Sequence, residues 1–177
     1  MKKGPRGFSL IELLIVVAII LIIAAIAIPN LLRSRIAANQ ASAVGSLRTL
    51  NTAEITYATT YNTGYSATLG DLGPGPGGAT AVPNATAAGL VDEVLSGVNG
   101  SGGTAGPGAT SSSKSGYTFI YQPGATDVSG KINTYGILAT PVNVGTTGTN
   151  FYYTDQSGVM RQNSTAVAGS SDSPLAG

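Results

Sequence analysis

Cysteine and histidine are both absent from the 177 residues of this chain. Their absence excludes disulfides, thiolate nucleophiles, imidazole bases and the usual zinc ligand sets. Charged residues are scarce too, at 10% of the chain, where ordinary soluble domains have about 25%. A net charge of +1 argues against a nucleic-acid-binding protein, which needs a basic face. The composition therefore predicts no metal, no cofactor and no nucleic-acid partner.

What the chain does have is one long apolar run near its start. From Phe8 to Leu32 the sequence reads FSLIELLIVVAIILIIAAIAIPNLL, and Glu12 is its one charged residue. About 20 apolar residues cross a bilayer as a helix, so residues 8–33 are predicted to span a membrane. The alternative, a buried core helix, would need a larger surrounding core than this glycine-rich chain can offer.

A short basic segment precedes the apolar run. Lys2, Lys3 and Arg6 favour a cytoplasmic N-terminus for the spanning helix. In an ordinary secretory signal the small-residue cleavage site follows the apolar region. Here the small residue, Gly7, stands before it. Cleavage at Gly7 would remove residues 1–7 as a leader and leave the apolar helix on the mature protein.

The residues from Arg6 to Leu13, RGFSLIEL, resemble the processing site of type IV pilins, with a type IVa-like leader, and of the related pseudopilins of type II secretion. The resemblance is close from Gly7 to Asn30. It implies cleavage after Gly7 by a prepilin peptidase and N-methylation of the new N-terminal residue, Phe8. It also implies a single-pass precursor in the inner membrane, which the pilus assembly machinery there builds into an extracellular filament on the cell surface.

Glu12 is a carboxylate within an apolar helix, where burial in hydrocarbon is costly unless the charge has a partner. One interpretation leaves Glu12 hydrated at the level of the lipid headgroups. The other, which the resemblance favours, pairs it with the ammonium group of Phe8 on a neighbouring subunit. Such a pair forms only at the correct axial offset, so Glu12 and Phe8 would set the register of assembly.

Pro29 falls inside the predicted helix. Because proline lacks an N–H, we expect it to kink the helix or loosen the preceding turn. In pilins this region commonly unwinds in the filament, helped by a glycine in the middle of the apolar run. Leu21 occupies that position in this chain.

Beyond the apolar run, residues 34–63 are predicted to continue the same helix as an amphipathic segment. Arg35, Asn39, Arg48 and Asn51 fall between apolar residues that recur at three- and four-residue steps: Leu32, Ile36, Ala43, Leu47, Leu50, Tyr57 and Tyr61. Gly64 is the expected stop of the helix.

Residues 64–116 hold 14 of the 25 glycines and are predicted to form an irregular loop region. Within it, the apolar spacing from Ala87 to Ser96 predicts a short helix closed by Gly97. Leu69 and Leu72 are expected to dock the front of the loop onto the rest of the domain.

Residues 117–162 have the pattern of a small antiparallel sheet of about four strands. Its clearest signal is the alternation of Tyr117, Phe119 and Tyr121 with polar or smaller residues. The other strand signals are Asn133–Val142, Asn150–Thr154 and Val159–Gln162. Packed against the amphipathic helix, this sheet predicts an α+β, pilin-like fold. The tail, residues 163–177, is predicted to be loose.

Two segments match sequence motifs of nucleotide-binding sites, but neither segment has all the features that such a site requires. Gly100–Ala105 fits a dinucleotide-binding pattern but lacks the required strand and helix. Gly108–Ser115 resembles a phosphate-binding loop, yet a serine replaces its second glycine. Asp92 and Glu93 are adjacent, so on a helix they diverge and cannot form a facing carboxylate pair. With no nucleophile–base pair visible, we predict no catalytic residues and a protein that is not an enzyme.

Three functions remain open. The first is the structural subunit of a type IV pilus, a homo-oligomeric helical filament for adhesion, motility or DNA uptake. The second is a pseudopilin of a type II secretion system. The third is a singly anchored exported binding domain, which would need neither Gly7-Phe8 nor Glu12. Major pseudopilins commonly carry a C-terminal calcium loop, and Asn163 to Gly177 has no acidic cluster, so a pilin is favoured. Many pilins pin this tail with paired cysteines, so that staple is either absent here or replaced by hydrogen bonding.

Overall fold

The computed structural model describes residues 7–75, 82–98 and 108–175. The chain forms two compact units, Met1–Arg35 and Ile36–Gly177. One α-helix, α1 (Leu10–Tyr61), contributes to both units. The remaining regular structure lies in the second unit, which confirms the α+β class.

In the first unit, the apolar side chains of α1 are uncovered. Every large apolar residue from Phe8 to Leu32 is between 44% and 80% exposed. By length and composition this is the one helix in the described part of the chain that could cross a membrane. A core helix of a soluble protein would be buried, so its exposure removes that alternative. The helix continues on both sides of Pro29, and the kink expected there remains a prediction.

The second unit contains one antiparallel sheet with the strands in sequence order. It has five strands instead of the predicted four or so: β1 (Ser111–Lys114), β2 (Tyr117–Pro123), β3 (Tyr135–Pro141), β4 (Phe151–Asp155) and β5 (Arg161–Asn163). The unpredicted strand, β1, has only small or polar residues and therefore no apolar alternation. It pairs with β2 across Ser115 and Gly116, both with positive φ, which is the conformation of a tight two-residue hairpin turn.

The core lies between one face of this sheet and the second half of α1. Leu47 and Leu50 are fully buried against Phe119 and Ile137 in one apolar cluster. The alternation predicted for β2 is confirmed, because Tyr117, Phe119 and Tyr121 are buried and the residues between them are not. Leu69 and Leu72 form a short 3-10 helix and are fully buried, so they dock the loop as expected.

The predicted stop of α1 and the predicted start of α2 were both wrong. Residue Asn62, with φ of 55°, provides the left-handed turn that ends α1. The predicted stop, Gly64, also has positive φ but serves another purpose: it bridges to Ile132, whose backbone would collide with any Cβ there. The second helix, α2, covers only Glu93–Ser96 and is closed by Gly97 as predicted.

The chain before α2 is extended because its backbone bonds elsewhere. The amide of Ala88 donates to the carbonyl of Asp71, and that of Leu90 to the carbonyl of Leu72, at 2.8 Å each. A helix over Ala87–Ser96 would give up both bonds, so pairing with the 3-10 segment overrides the local apolar spacing.

The tail was predicted to be loose, but through Leu175 it is held to the sheet. The Leu175 amide donates to the Met160 carbonyl at 2.7 Å, and the Gln162 amide to the Ser173 carbonyl at 3.1 Å. Asp172 closes the turn: Asn163 Nδ2 donates to its Oδ1 at 2.9 Å, and the Gly169 amide to its Oδ2 at 2.7 Å. These hydrogen bonds hold the described part of the tail in place.

Replacing Asp172 with alanine should release this tail without unfolding the sheet. The change removes acceptors from two part-buried donors, each worth on the order of 1 kcal/mol. We expect the Leu175 amide to exchange with deuterium roughly tenfold faster or more. Asp172→Asn keeps one side-chain oxygen and should show a smaller effect. Unchanged exchange in the alanine variant would show that Asp172 does not hold the tail.

Candidate functional site

The cleavage position predicted at Gly7 precedes the first turn of α1. Residues 7–9 are not helical, and a Cβ placed on Gly7 would meet open space. Phe8 is 80% exposed. The Gly7–Phe8 bond therefore lies outside the helix, next to an exposed side chain. Lys2, Lys3 and Arg6 of the predicted leader lie outside the described residues.

Glu12 has a local partner that the sequence analysis did not anticipate. The backbone N–H of Ser9 donates to Glu12 Oε2 at 3.0 Å, and the amide of Leu13 donates to the Ser9 carbonyl at 3.3 Å. Ser9 stands immediately before the helix and Glu12 is its third residue, which is the spacing of a capping box. The signal was present in the sequence as Ser-x-x-Glu.

The contact with Ser9 gives Glu12 a structural role within its own chain. A carboxylate in the first turn satisfies an otherwise unpaired N–H and interacts favourably with the positive end of the helix dipole. In the single chain, Glu12 is therefore already stabilised by its own helix. Its second oxygen, Oε1, takes no hydrogen bond from the described residues and is open to a group from another molecule.

Asp127, in the second unit, serves local structure. Asp127 Oδ1 accepts from the backbone and hydroxyl of Ser129 and from the Lys131 amide, while Asn133 donates to its Oδ2. These bonds hold the pKa of Asp127 well below its usual range. Within the described ranges, no three potential metal ligands cluster.

The apparent phosphate-binding loop, Gly108–Ser115, does not have the loop-to-helix geometry of a phosphate site. Within Gly108–Ser115, residues Ser111–Lys114 form the strand β1. Lys114 Nζ is paired with Asp92 Oδ2 at 2.7 Å. Asp92 also caps α2. The Gly100–Ala105 motif lies outside the described residues.

A buried polar cluster at the helix–sheet contact was missed by the sequence analysis. Glu54 is fully buried, and its carboxylate accepts from the Ser66 amide at 2.9 Å and the Ser66 hydroxyl at 2.6 Å. Burial raises the pKa of Glu54, and the bonds from Ser66 only partly offset this. Tyr121 donates its hydroxyl to the Ser66 carbonyl at 2.9 Å, which ties the loop after α1 to β2 as well.

Asn51 belongs to the same layer. It was predicted to lie among the polar residues between the apolar positions, yet it is 7% exposed. Its Nδ2 donates to Thr154 at 2.8 Å, and the Tyr135 hydroxyl donates to its Oδ1 at 3.0 Å. These hydrogen bonds fix the position of α1 relative to β3 and β4, because they form in one alignment of the helix on the sheet. An apolar contact would be less selective.

Comparison with known proteins identifies the N-terminal segment. Residues 2–28 match the prokaryotic N-terminal methylation motif, which is the motif of prokaryotic pilins. Over 49 residues (28% of this chain and 22% of the relative) the sequence is 55% identical to the type IV major pilin protein PilA of Myxococcus xanthus. Over 37 residues (21% and 28%) it is 62% identical to the type IV wide pilus major component PilA4 of Thermus thermophilus.

These similarities are confined to a minor part of each protein. The chain covers about a quarter of the length of the curated relatives it matches. The comparison with solved structures found no match to this chain. The comparisons therefore concern the N-terminal segment, while the sheet domain is known from its own structure.

Proposed function

We propose that this chain, which carries the N-terminal methylation motif of pilins, is the structural subunit of a type IV pilus. The subunit is made as a single-pass precursor of the inner membrane. A prepilin peptidase cleaves it after Gly7 and Phe8 is N-methylated. The inner-membrane pilus machinery then adds it to a homo-oligomeric helical filament at the cell surface. Adhesion, motility or DNA uptake is the purpose of such a filament, and the subunit itself performs no catalysis.

The observation that carries the proposal is the uncovered apolar helix. Seventeen large apolar side chains between Phe8 and Leu32 are at least 44% exposed. An apolar surface of this extent is not stable in water, so it needs lipid or other apolar helices around it. Cleavage before the helix keeps it on the mature subunit, which can then exchange lipid contacts for contacts with neighbouring subunits.

Glu12 and Phe8 give this exchange its register. Cleavage after Gly7 creates a positively charged amino group on Phe8. In a filament, the ammonium group of Phe8 on one subunit meets the Glu12 carboxylate of a neighbour, whose Oε1 is open in the single chain. In a low-dielectric core such a pair forms only where the two groups meet directly, so misaligned subunits would leave a buried charge unpaired.

The tail favours a pilus over a pseudopilus. A calcium loop in this region would need free carboxylate oxygens. Both oxygens of Asp172 accept hydrogen bonds from Asn163 and Gly169 instead. Asp172 is the one acidic residue from Asn163 to Gly177, which supports a subunit that differs from the major pseudopilins. A singly anchored binding domain could use Glu12 as a helix cap, but it would have no use for a cleavage site placed before its anchor.

The test is electron microscopy of filaments sheared from cells, with mass spectrometry of the subunit N-terminus. We expect filaments built from a chain that begins at Phe8 and carries one added methyl group. Protein that begins at Met1, or that stays monomeric after extraction with no filament on the cells, would contradict the proposal and support the singly anchored domain. Filaments confined to the periplasm would support the pseudopilin.

A further inference from the structure

A crevice of about 330 Å³ lies beside the C-terminal end of α1. Five segments of the second unit form it: the last turns of α1, the chain just after it, the 3-10 helix at Asp71, the turn around Ala85, and the loop that ends at Ile132. Its walls are largely apolar and aromatic, and they include Tyr57 and Tyr65. Nothing in the pilus function described above uses this crevice.

One buried carboxylate lines the crevice. Asp71 is 8% exposed, and the Thr68 amide donates to its Oδ2 at 2.9 Å. Its other oxygen, Oδ1, receives no hydrogen bond from the described residues. The single ion pair in the described ranges joins Lys114 to Asp92, so Asp71 has no cation of its own there. Burial raises the pKa of Tyr57, and the negative charge of Asp71 raises it further.

The end of α1 adds to the negative potential. The last carbonyls of a helix carry a partial negative charge, and basic residues in the last turn usually offset it. The last turn of α1 has no basic residue. The cation nearest in sequence to the crevice lining is Lys131, whose Nζ donates to Asn62 Oδ1 at 3.0 Å just beyond the helix end. It offsets the helix end rather than pairing with Asp71.

The aromatic walls suit a cation with an apolar body. The faces of tyrosine rings carry negative potential and attract ammonium groups, most strongly where water is displaced. Tyr65 is fixed by an edge-to-face contact with Tyr135 at 4.6 Å between ring centroids, and Tyr57 packs on Tyr61 at 4.9 Å. The Tyr57 hydroxyl is occupied by a bond to the Ala85 carbonyl at 2.6 Å, so its ring is held in place.

We propose that this crevice is a binding site for a small alkylammonium ion. The Asp71 carboxylate faces the charge, and Tyr57 and Tyr65 contact the methyl or methylene groups. Anions are repelled by the Asp71 carboxylate, and a neutral molecule of the same shape gains nothing from it. The site does not depend on the pilus function, since it requires only the folded second unit.

The test is titration of the full-length chain in detergent micelles with tetramethylammonium chloride, followed by NMR of the Tyr65 and Ala85 amides. Sodium chloride at equal ionic strength and neutral tert-butanol are the controls. We expect saturable shifts of these two amides with tetramethylammonium alone. Shifts of equal size with tert-butanol, or shifts that increase linearly without saturation, would overturn the proposal.

Two variants test whether the crevice recognises the positive charge of the alkylammonium ion. Asp71→Asn keeps a side-chain oxygen for the Thr68 amide, so the fold should be retained, and we expect affinity to fall roughly fivefold or more. Lys131→Gln removes a nearby positive charge and should raise affinity. If Asp71→Asn retains wild-type affinity with an otherwise unchanged amide spectrum, the crevice does not recognise the charge and the proposal fails.

Discussion

Replacing Glu12 with glutamine is expected to abolish filaments while leaving the precursor in the membrane. The side chain keeps its size and an oxygen that can accept from the Ser9 N–H, so the first turn of α1 stays capped. What disappears is the negative charge that would meet the Phe8 ammonium group of a neighbour. An unpaired ammonium group in an apolar filament core costs several kcal/mol per subunit, which is enough to prevent growth.

Glu12→Ala is the companion variant, because it removes the charge and the cap together. We expect both variants to insert normally, as shown by membrane fractionation, and to yield no filaments in shearing assays. If Glu12→Gln forms normal filaments and Glu12→Ala does not, Glu12 acts through the helix cap. If both form filaments, neither role is needed for assembly.

Glu54→Ala is expected to cause the largest loss of stability in the second unit. It leaves the Ser66 amide and hydroxyl buried without their acceptor and opens a cavity beside Tyr121. Orphaned buried donors cost about 1–3 kcal/mol each, and the cavity adds to this. We expect the free energy of unfolding to fall by about 3 kcal/mol, measured by chemical denaturation of the full chain in detergent.

Glu54→Gln separates the hydrogen bonds from the charge. It keeps the side-chain volume and an acceptor for Ser66, so stability should stay within about 1 kcal/mol of wild type at acidic pH. Retention of full stability by Glu54→Ala would show that the Ser66 anchor contributes little. Equal losses in both variants would point to the cost of any substitution at this position.

The buried carboxyl group of Glu54 also predicts that stability depends on pH, which a comparison of wild type with Glu54→Gln would reveal. Burial raises the pKa of Glu54 above its value in the unfolded chain, so the folded state binds the proton more tightly. The stabilisation by the protonated form is complete below the unfolded pKa and is lost as pH rises through the folded pKa. Measured from pH 4 to pH 8, wild type should lose stability relative to Glu54→Gln. A difference that stays constant with pH would show that Glu54 does not titrate in the fold.

The sequence was sufficient where the signal was local and periodic. The apolar run, the alternation at Tyr117–Tyr121 and the left-handed Gly97 each follow from one short window, and the structure agrees with all three. Strand β1 was missed because Ser-Ser-Ser-Lys has no apolar alternation. Its Ser115-Gly116 turn was the available signal for the hairpin.

The errors elsewhere come from long-range partners. Asn51 and Glu54 have the composition of a solvated helix face, yet Thr154, Tyr135 and Ser66 satisfy them inside the core. The partners lie 12 to 103 residues away, so no local pattern could announce them. The extended chain before α2 has the same origin, since its backbone bonds are with the distant 3-10 segment.

The tail of the second unit is closed by hydrogen bonds to Asp172 in a chain that has no cysteine. Folding of the second unit therefore requires no oxidant and no thiol–disulfide exchange. Reductants that unlock cysteine-stapled domains have no bond to break in this one. We expect the second unit to fold equally well with or without an oxidant.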